Sequence, residues 1–336
     1  METARYVVAE AVWAPSVHNT QPWWFSADEQ QISLYADAGR RLAVADPDGR
    51  EMMISCGAAL FTVRLALRSL GYIPETSMLP DPAQPALVAR VSWRQQAVPT
   101  DYEKRLASQV PLRRTHRGGF DPVPLSPNLL TALREGAARD GGMLRIVTDE
   151  GQRAALAAAV QTAEQAAHLD SARVQELVMW APPSGSLRTD GVPPTAYPVR
   201  SEHTNPDFPG RDYAHGRGWG TRPLSSAYLP RVAGVVGLLT TANDGPADWV
   251  NAGQALQRIL LTASTCGVAA ALHSQPFELP WLREHIRDRL AGGGYPHMLL
   301  RLGAVIQTAV SVRRAPDEVL GPRGLHGGRA SRAGSL

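Results

Sequence analysis

An α+β fold made of two similar halves, the second carrying a long insert, is predicted by three features of this 336-residue sequence. Segments of helical and strand period alternate along most of the chain. A block of turn, long apolar helix and strand occurs twice, and residues 181 to 231 break the periodic pattern with Pro, Gly, His and Arg. The repeat carries most weight. Asp48-Gly49, Gly57, Ala59-Leu60, Leu65, Gly71 and Pro80 match Asp244-Gly245, Gly253, Ala255-Leu256, Leu261, Gly267 and Pro276, every pair 196 residues apart with no gap over 33 positions. Background composition supplies roughly two or three identities over such a window, against eight here. Two copies of one unit in a chain suggest a pseudo-dimer, in which each half buries the face that a partner subunit would cover.

Residues 3 to 14 place Val7, Val8, Ala11 and Val12 on one helical face. Residues 23 to 35 read as a hairpin turning at Ala27-Asp28-Glu29, with Trp23 and Phe25 on one side and Trp24 on the other. The long helix after Asp48-Gly49 stops at Gly71, and strands follow near 72–79 and 86–93. Residues 111 to 121, PLRRTHRGGFD, form an arginine loop ahead of a helix opened by Ser126-Pro127, a favourable N-cap and first-turn pair. Strand 143–148 and helices 149–167 and 170–180 lead to the insert. An aperiodic segment of that length is either disordered or a functional lid, and Tyr197, Tyr213, Trp219 and Tyr228 favour an ordered lid. Periodicity resumes with strand 232–241, helix 246–266, strand 268–273, helix 280–290 and strand 297–305. The halves are therefore drawn as 1–105 and 106–320, with the lid at 181–231 and a disordered glycine-arginine tail at 321–336.

Formal charge is +3, and Lys104 is the single lysine among arginines. No basic run interleaved with aromatics occurs, which argues against nucleic acid as a partner. The first residues carry Glu2 and Glu10 where a signal peptide would be apolar, and apolar runs such as 232–239 are short for a membrane span. A cytoplasmic protein is expected. Cys56 and Cys266 stand far apart in apolar helical stretches and read as small buried hydrophobes.

Residues 14 to 25, APSVHNTQPWWF, organise the rest. Pro15 and Pro22 stop helix propagation at both ends, leaving Ser16, His18, Asn19, Thr20 and Gln21 on a braced turn whose amides could meet a flat polar ligand. The bland alternative is an ordinary turn into the hairpin. Arg113, Arg114, Thr115 and Arg117 beside Gly118-Gly119 offer planar donors and close backbone approach, as a phosphate requires. Their bland alternative is a solvated loop. No strand-associated GxGxxG, GxSxG, Walker loop or HExxH is present. His203, Asp207, Asp212 and His215 are spaced too irregularly to suggest a metal site.

The turn, with its serine, asparagine and Gln-Pro-Trp, resembles the signature of the nitroreductase family of FMN proteins, and its Val-His-Asn form resembles the Acg branch. The resemblance spans roughly residues 3 to 320. It implies FMN as cofactor, with Ser16, Val17 and Asn19 supplied by one half of the pseudo-dimer. The other half would supply Arg113 or Arg114 with Thr115 at the phosphate, Arg117 near the ring, Ser274, Gln275 and Pro276 facing flavin N5, and Arg313 and Arg314 at the phosphate. Half one lacks the arginine loop, and half two has RDYAHGRGWG where the asparagine turn would fall, so one complete site per chain is expected. The implied activity is electron transfer from NAD(P)H through flavin to a small electron-poor acceptor, with no protein nucleophile. The alternative is a non-catalytic FMN-storing protein whose lid closes over the flavin. A monomeric pseudo-dimer or weak homodimer follows from the repeat.

Overall fold

The computed structural model describes residues 1–199, 202–213, 220–221, 231–305 and 310–321; Trp219, Tyr228, His215 and the tail from 322 lie outside the described residues. In chain order the first part holds α1 (Glu2–Ala11), β1 (Trp23–Ala27), β2 (Gln31–Ala36), α2 (Arg50–Ser69), β3 (Tyr72–Met78), β4 (Leu87–Gln96) and α3 (Asp101–Gln109). Then come α4 (Pro127–Arg139), β5 (Met143–Val147), α5 (Glu150–Leu169) and α6 (Ser171–Met179). After the insert follow β6 (Val235–Thr241), α7 (Pro246–Ser264), β7 (Val268–His273), α8 (Pro280–Arg289), β8 (Tyr295–Ala304) and α9 (Pro316–Val319).

The strands form two antiparallel sheets with the same connectivity, β1-β2-β4-β3 and β5-β6-β8-β7. In each, the helix between the second and third strands is the long one of the repeat, α2 or α7. Asp46 starts α2 by accepting the amides of Glu51 (3.0 Å) and Met52 (2.8 Å), two donors the helix itself cannot satisfy. Gly71 (φ +84°) and Gly267 (φ +69°) end the two helices in the left-handed region, where a side chain would be strained.

α2 and α7 pack face to face at the centre. A Cβ on Gly57 would overlap the carbonyl oxygen of Val250, and a Cβ on Gly253 would overlap that of Ile54. Gly57 and Gly253 are 196 residues apart, as are Ile54 and Val250, so the crossing is reciprocal. Such self-complementarity is what an isologous contact between two copies requires. By length and composition α2 is apolar enough to cross a membrane, but 78% of its apolar stretch is buried inside this fold.

Several expectations need correction. α3 was not anticipated, although Thr100 and Glu103 form a reciprocal capping box at its start. Arg68 grips the same Glu103 through Nε (2.8 Å) and Nη2 (3.1 Å), which tethers α3 to α2. Helix α7 stops at Ser264, two residues earlier than expected, so Cys266 sits exposed in the turn to β7 while Cys56 is buried. The carboxy-terminal segment also returns to α1 and β1. Leu320 bridges to Phe25, and Val319 is buried with α1 and β1, which carries Arg313 and Arg314 back beside the asparagine turn.

Candidate active site: a cleft beside the asparagine turn

Three residues of the asparagine turn, His18 (φ 51°), Asn19 (φ 53°) and Gln21 (φ 49°), adopt left-handed backbone conformations without being glycine. Each such conformation costs of order 1–3 kcal/mol and persists only where surroundings over-determine it. Here they do. Ser16 Oγ accepts the Gln21 amide (2.9 Å), and Gln21 Nε2 donates to Thr189 O (2.9 Å). Asn19 Nδ2 donates to Gly191 O (3.0 Å) and Val312 O (3.1 Å). The start of the insert and the returning carboxy-terminal segment thus clamp the turn from two sides. Asn19 Oδ1 is buried with no partner among the described residues.

A cationic cluster lies beside this turn. Arg113 Nη2 (3.1 Å) and Arg313 Nη2 (3.4 Å) both donate to Trp13 O, and the Arg114 guanidinium stacks 4.3 Å from the Trp13 ring centroid. Arg113, Arg114, Arg117 and Arg313 have no carboxylate within ion-pair distance among the described residues. Arg113 is only 5% exposed, and its Nε and Nη1, like Arg313 Nε, are buried without partners among the described residues. Burial first, and then repulsion from Arg114 and Arg117, pushes the Arg113 guanidinium down to about 9. Burial likewise drives Arg313 well below its ordinary value, with Arg113, Arg114 and Arg117 adding to it. Uncompensated buried cations are costly. An anion would offset that cost.

Arg313 lines a recess of about 310 Å³ together with Pro15, Ser16, Asn19, Thr115 and Arg117. Pro15, Ser16, Thr115 and Arg117 also line a wider cleft of about 1070 Å³, counting the space open to solvent at its mouth. The isolated bridge of Thr115 to Ala270 and the His116 amide bond to Ala270 O (2.8 Å) hold the arginine loop along β7. Ser16 and Val17 from the turn before β1 and Ser274 and Gln275 from the turn after β7 meet across this cleft. The side chains of the latter pair are engaged elsewhere: Ser274 Oγ donates to Glu278 Oε1 (2.9 Å), and Gln275 Nε2 reaches Glu164 Oε2 (3.4 Å).

Four sequence-nominated residues are absent from both linings. Pro276 is buried in the short turn after β7, and Arg113 and Arg114 belong to the cluster around Trp13. Arg314 is a fastener for the turn: its amide donates to Gln21 Oε1 (2.9 Å), and Nη1 donates to the carbonyls of Gln21 (3.3 Å) and Trp23 (3.4 Å).

Other lining residues went unrecognised in the sequence. Glu51 comes from the first turn of α2, and Phe208 and Arg211 come from the insert, beside Tyr213, which the sequence had assigned to the lid. Arg211 Nη2 is held by Glu278 Oε1 (2.5 Å) and Ser274 Oγ (3.2 Å), and the Tyr213 hydroxyl is hydrogen-bonded to His18 Nδ1 (3.2 Å). Burial, reinforced by Arg211 and Arg117, keeps His18 neutral. His273 is neutral for the same primary reason and accepts from Arg301 Nε (3.0 Å). The signal for Arg211 and Tyr213 was present in RDYAHGRGWG, which falls 196 residues after the asparagine turn. His203 Nδ1 pairs with Asp207 Oδ2 (2.8 Å), and no cluster of three or more metal-binding side chains occurs among the described residues.

A protein of Mycobacterium tuberculosis provisionally named NAD(P)H nitroreductase is 37% identical over 307 residues, covering 90% of this chain and 85% of its own length. The chain belongs to the nitroreductase family. A second relative from that organism, provisionally named as the NAD(P)H nitroreductase acg, is 28% identical over 91% of each chain, in keeping with the Val-His-Asn form of the turn. No protein-family model matches the chain. Among solved structures, a provisionally named nitroreductase of Anabaena variabilis covers 90% of this nitroreductase-family chain and 88% of its own at 10% identity and a TM-score of 0.45. A nitroreductase with bound FMN from Desulfitobacterium hafniense covers 64% of this chain and 96% of its own at 15% identity and a TM-score of 0.36. Both likenesses are too loose to bear on the site.

Proposed function

We propose that this nitroreductase-family chain binds one FMN in the cleft and passes electrons from NAD(P)H to a small electron-poor acceptor. The observation that carries the reading is a cluster of arginines with no carboxylate partner among the described residues, two of which, Arg117 and Arg313, line the recess beside the cleft while Arg113 is buried behind it. A phosphate supplies the missing negative charge, and arginines bind it through planar paired donors. Arg313, Arg117 and Thr115 would hold the phosphate end in the recess, with Arg113 adding charge from behind Trp13 O, while Asn19 Oδ1 would accept from a hydroxyl of the ribityl chain. The wider cleft would take the ring between the asparagine turn and Ser274-Gln275. Arg117 lines both spaces and is the cation that would stabilise negative charge on a reduced ring. When bound, the flavin supplies the redox chemistry, and the protein orients it and excludes water. The two halves, 1–105 and 106–320 with their insert at 181–231, are read as copies of one unit. They make the chain a monomeric pseudo-dimer or weak homodimer with a single complete site.

A second reading, flavin storage under a closed lid, is favoured by one observation. Tyr213, stacked on Tyr197 and bonded to His18, brings part of the insert to the lining of the cleft, which supports this reading. Anaerobic stopped-flow mixing with NADPH or NADH separates the two. In a reductase the bound flavin bleaches quickly and a nitroaromatic restores its colour. In a storage protein bleaching is slow and Tyr213→Ala accelerates it without releasing FMN. Deleting the whole insert would be a poor test, because Thr189 and Gly191 hold the asparagine turn.

A further inference from the structure

Glu51 is the one carboxylic acid of half one that lines the cleft. It is 3% exposed. Its Oε1 accepts from Arg50 Nη2 (2.8 Å), while Oε2 is buried and has no partner among the described residues. Arg50 Nη2 is fixed in turn by Phe277 O (3.0 Å), so the carboxyl is oriented as well as paired. The groups facing it come from three elements: Asp46 and Arg50 at the start of α2, Glu278 from the turn after β7, and Arg211 from the insert. Glu278 takes both Arg211 (2.5 Å) and Arg173 (3.6 Å), which leaves Glu51 with Arg50 alone. Asp46 is committed to backbone amides. One proton in this cluster is the arrangement of lowest cost, and Glu51 is the member without a second partner. The position 196 residues on is Ala247, so the acid occurs only in the half whose asparagine turn completes the cleft.

We propose that Glu51 is the proton donor to the acceptor bound in this cleft, an inference that rests on the flavin reading above. A reduced flavin held here would supply the acceptor with two electrons and one hydrogen as hydride. The Glu51 Oε2–H bond then breaks, and its proton goes to the acceptor atom left with negative charge. The carboxylate stays paired with Arg50 until it regains a proton from solvent. Burial, against the pull of Arg50 and with help from Glu278 and Asp46, pushes this carboxyl up to about 8, so it is still protonated at neutral pH. A positioned acid of this kind contributes on the order of a hundredfold or more to rate.

The test has two arms. Infrared difference spectra of the full chain, titrated without flavin, should show a buried protonated-carboxyl band that disappears as pH rises through about 8 and is missing from Glu51→Gln. In the FMN-loaded protein, pre-reduced and mixed with a nitroaromatic, wild type should reoxidise more slowly as pH rises through that same range. Glu51→Gln should be roughly a hundredfold slower and insensitive to pH there, with FMN retention unchanged. A wild type lacking the band, or a Glu51→Gln protein with the wild-type rate and pH profile, would overturn the assignment. A wild type that retains no FMN would instead sink the flavin reading, and the infrared arm reports on Glu51 either way.

Discussion

Replacing Arg113 by methionine should raise the thermal midpoint of the flavin-free protein while sharply weakening FMN binding. These opposite signs follow from the site. Arg113 is buried with two unpaired donors and surrounded by other arginines, so the apoprotein carries a charge it would fold better without. Methionine keeps much of the volume and removes the charge. The bond to Trp13 O is lost, but Arg313 still donates to the same oxygen (3.4 Å). A gain of about 1–2 kcal/mol would raise the midpoint of a chain this long by a few degrees. Arg113 lies behind the recess, so its loss removes through-space attraction for the phosphate, on the order of 1–2 kcal/mol, roughly a fivefold to thirtyfold rise in Kd. Scanning calorimetry without flavin and fluorescence titration with FMN check the two halves of this expectation. An apoprotein destabilised by Arg113→Met that still binds FMN like wild type would make Arg113 an ordinary structural residue.

The second large effect is expected at the centre of the fold. Gly57→Ala and Gly253→Ala each place a methyl group on a backbone carbonyl of the opposing helix, Val250 or Ile54, and backbone cannot step aside as a long side chain can. Alanine is worth up to about 1 kcal/mol over glycine in helix propensity, but here the overlap should dominate. Each variant should lose about 3 kcal/mol or more in urea denaturation, at the upper end of what overpacking costs. The double variant is expected not to fold. Because the α2 N-terminus forms one wall of the cleft, the single variants should also loosen FMN. A rise in stability for either variant would mean that the helices are not in contact there.

The repeat, the hairpin and the two long helices were legible because each rests on local period and on glycines at fixed offsets. The asparagine turn and the arginine loop were legible because they are short strings of unusual chemistry. Helix α3 was missed because it buries only Leu106 and so shows little apolar period, although its capping box was there to be read. Arg313 could not be told from Arg314, nor Arg113 from Arg114, since neighbours in sequence point to different surroundings once the chain folds. Glu51 and Glu278 carried no signal for a related reason, and Arg211 carried one only through its offset from the asparagine turn. They lie in three distant parts of the sequence and acquire meaning only where α2, the insert and the turn after β7 converge.

The central claim is one flavin site per chain, assembled from both halves of the same polypeptide. The most direct measurement is the amount of FMN released by denaturation per mole of chain, taken on a fraction whose molar mass is read by light scattering. About one FMN on a monomeric chain is the expected result. Two per chain, or none after incubation with excess FMN and removal of the unbound, would contradict it.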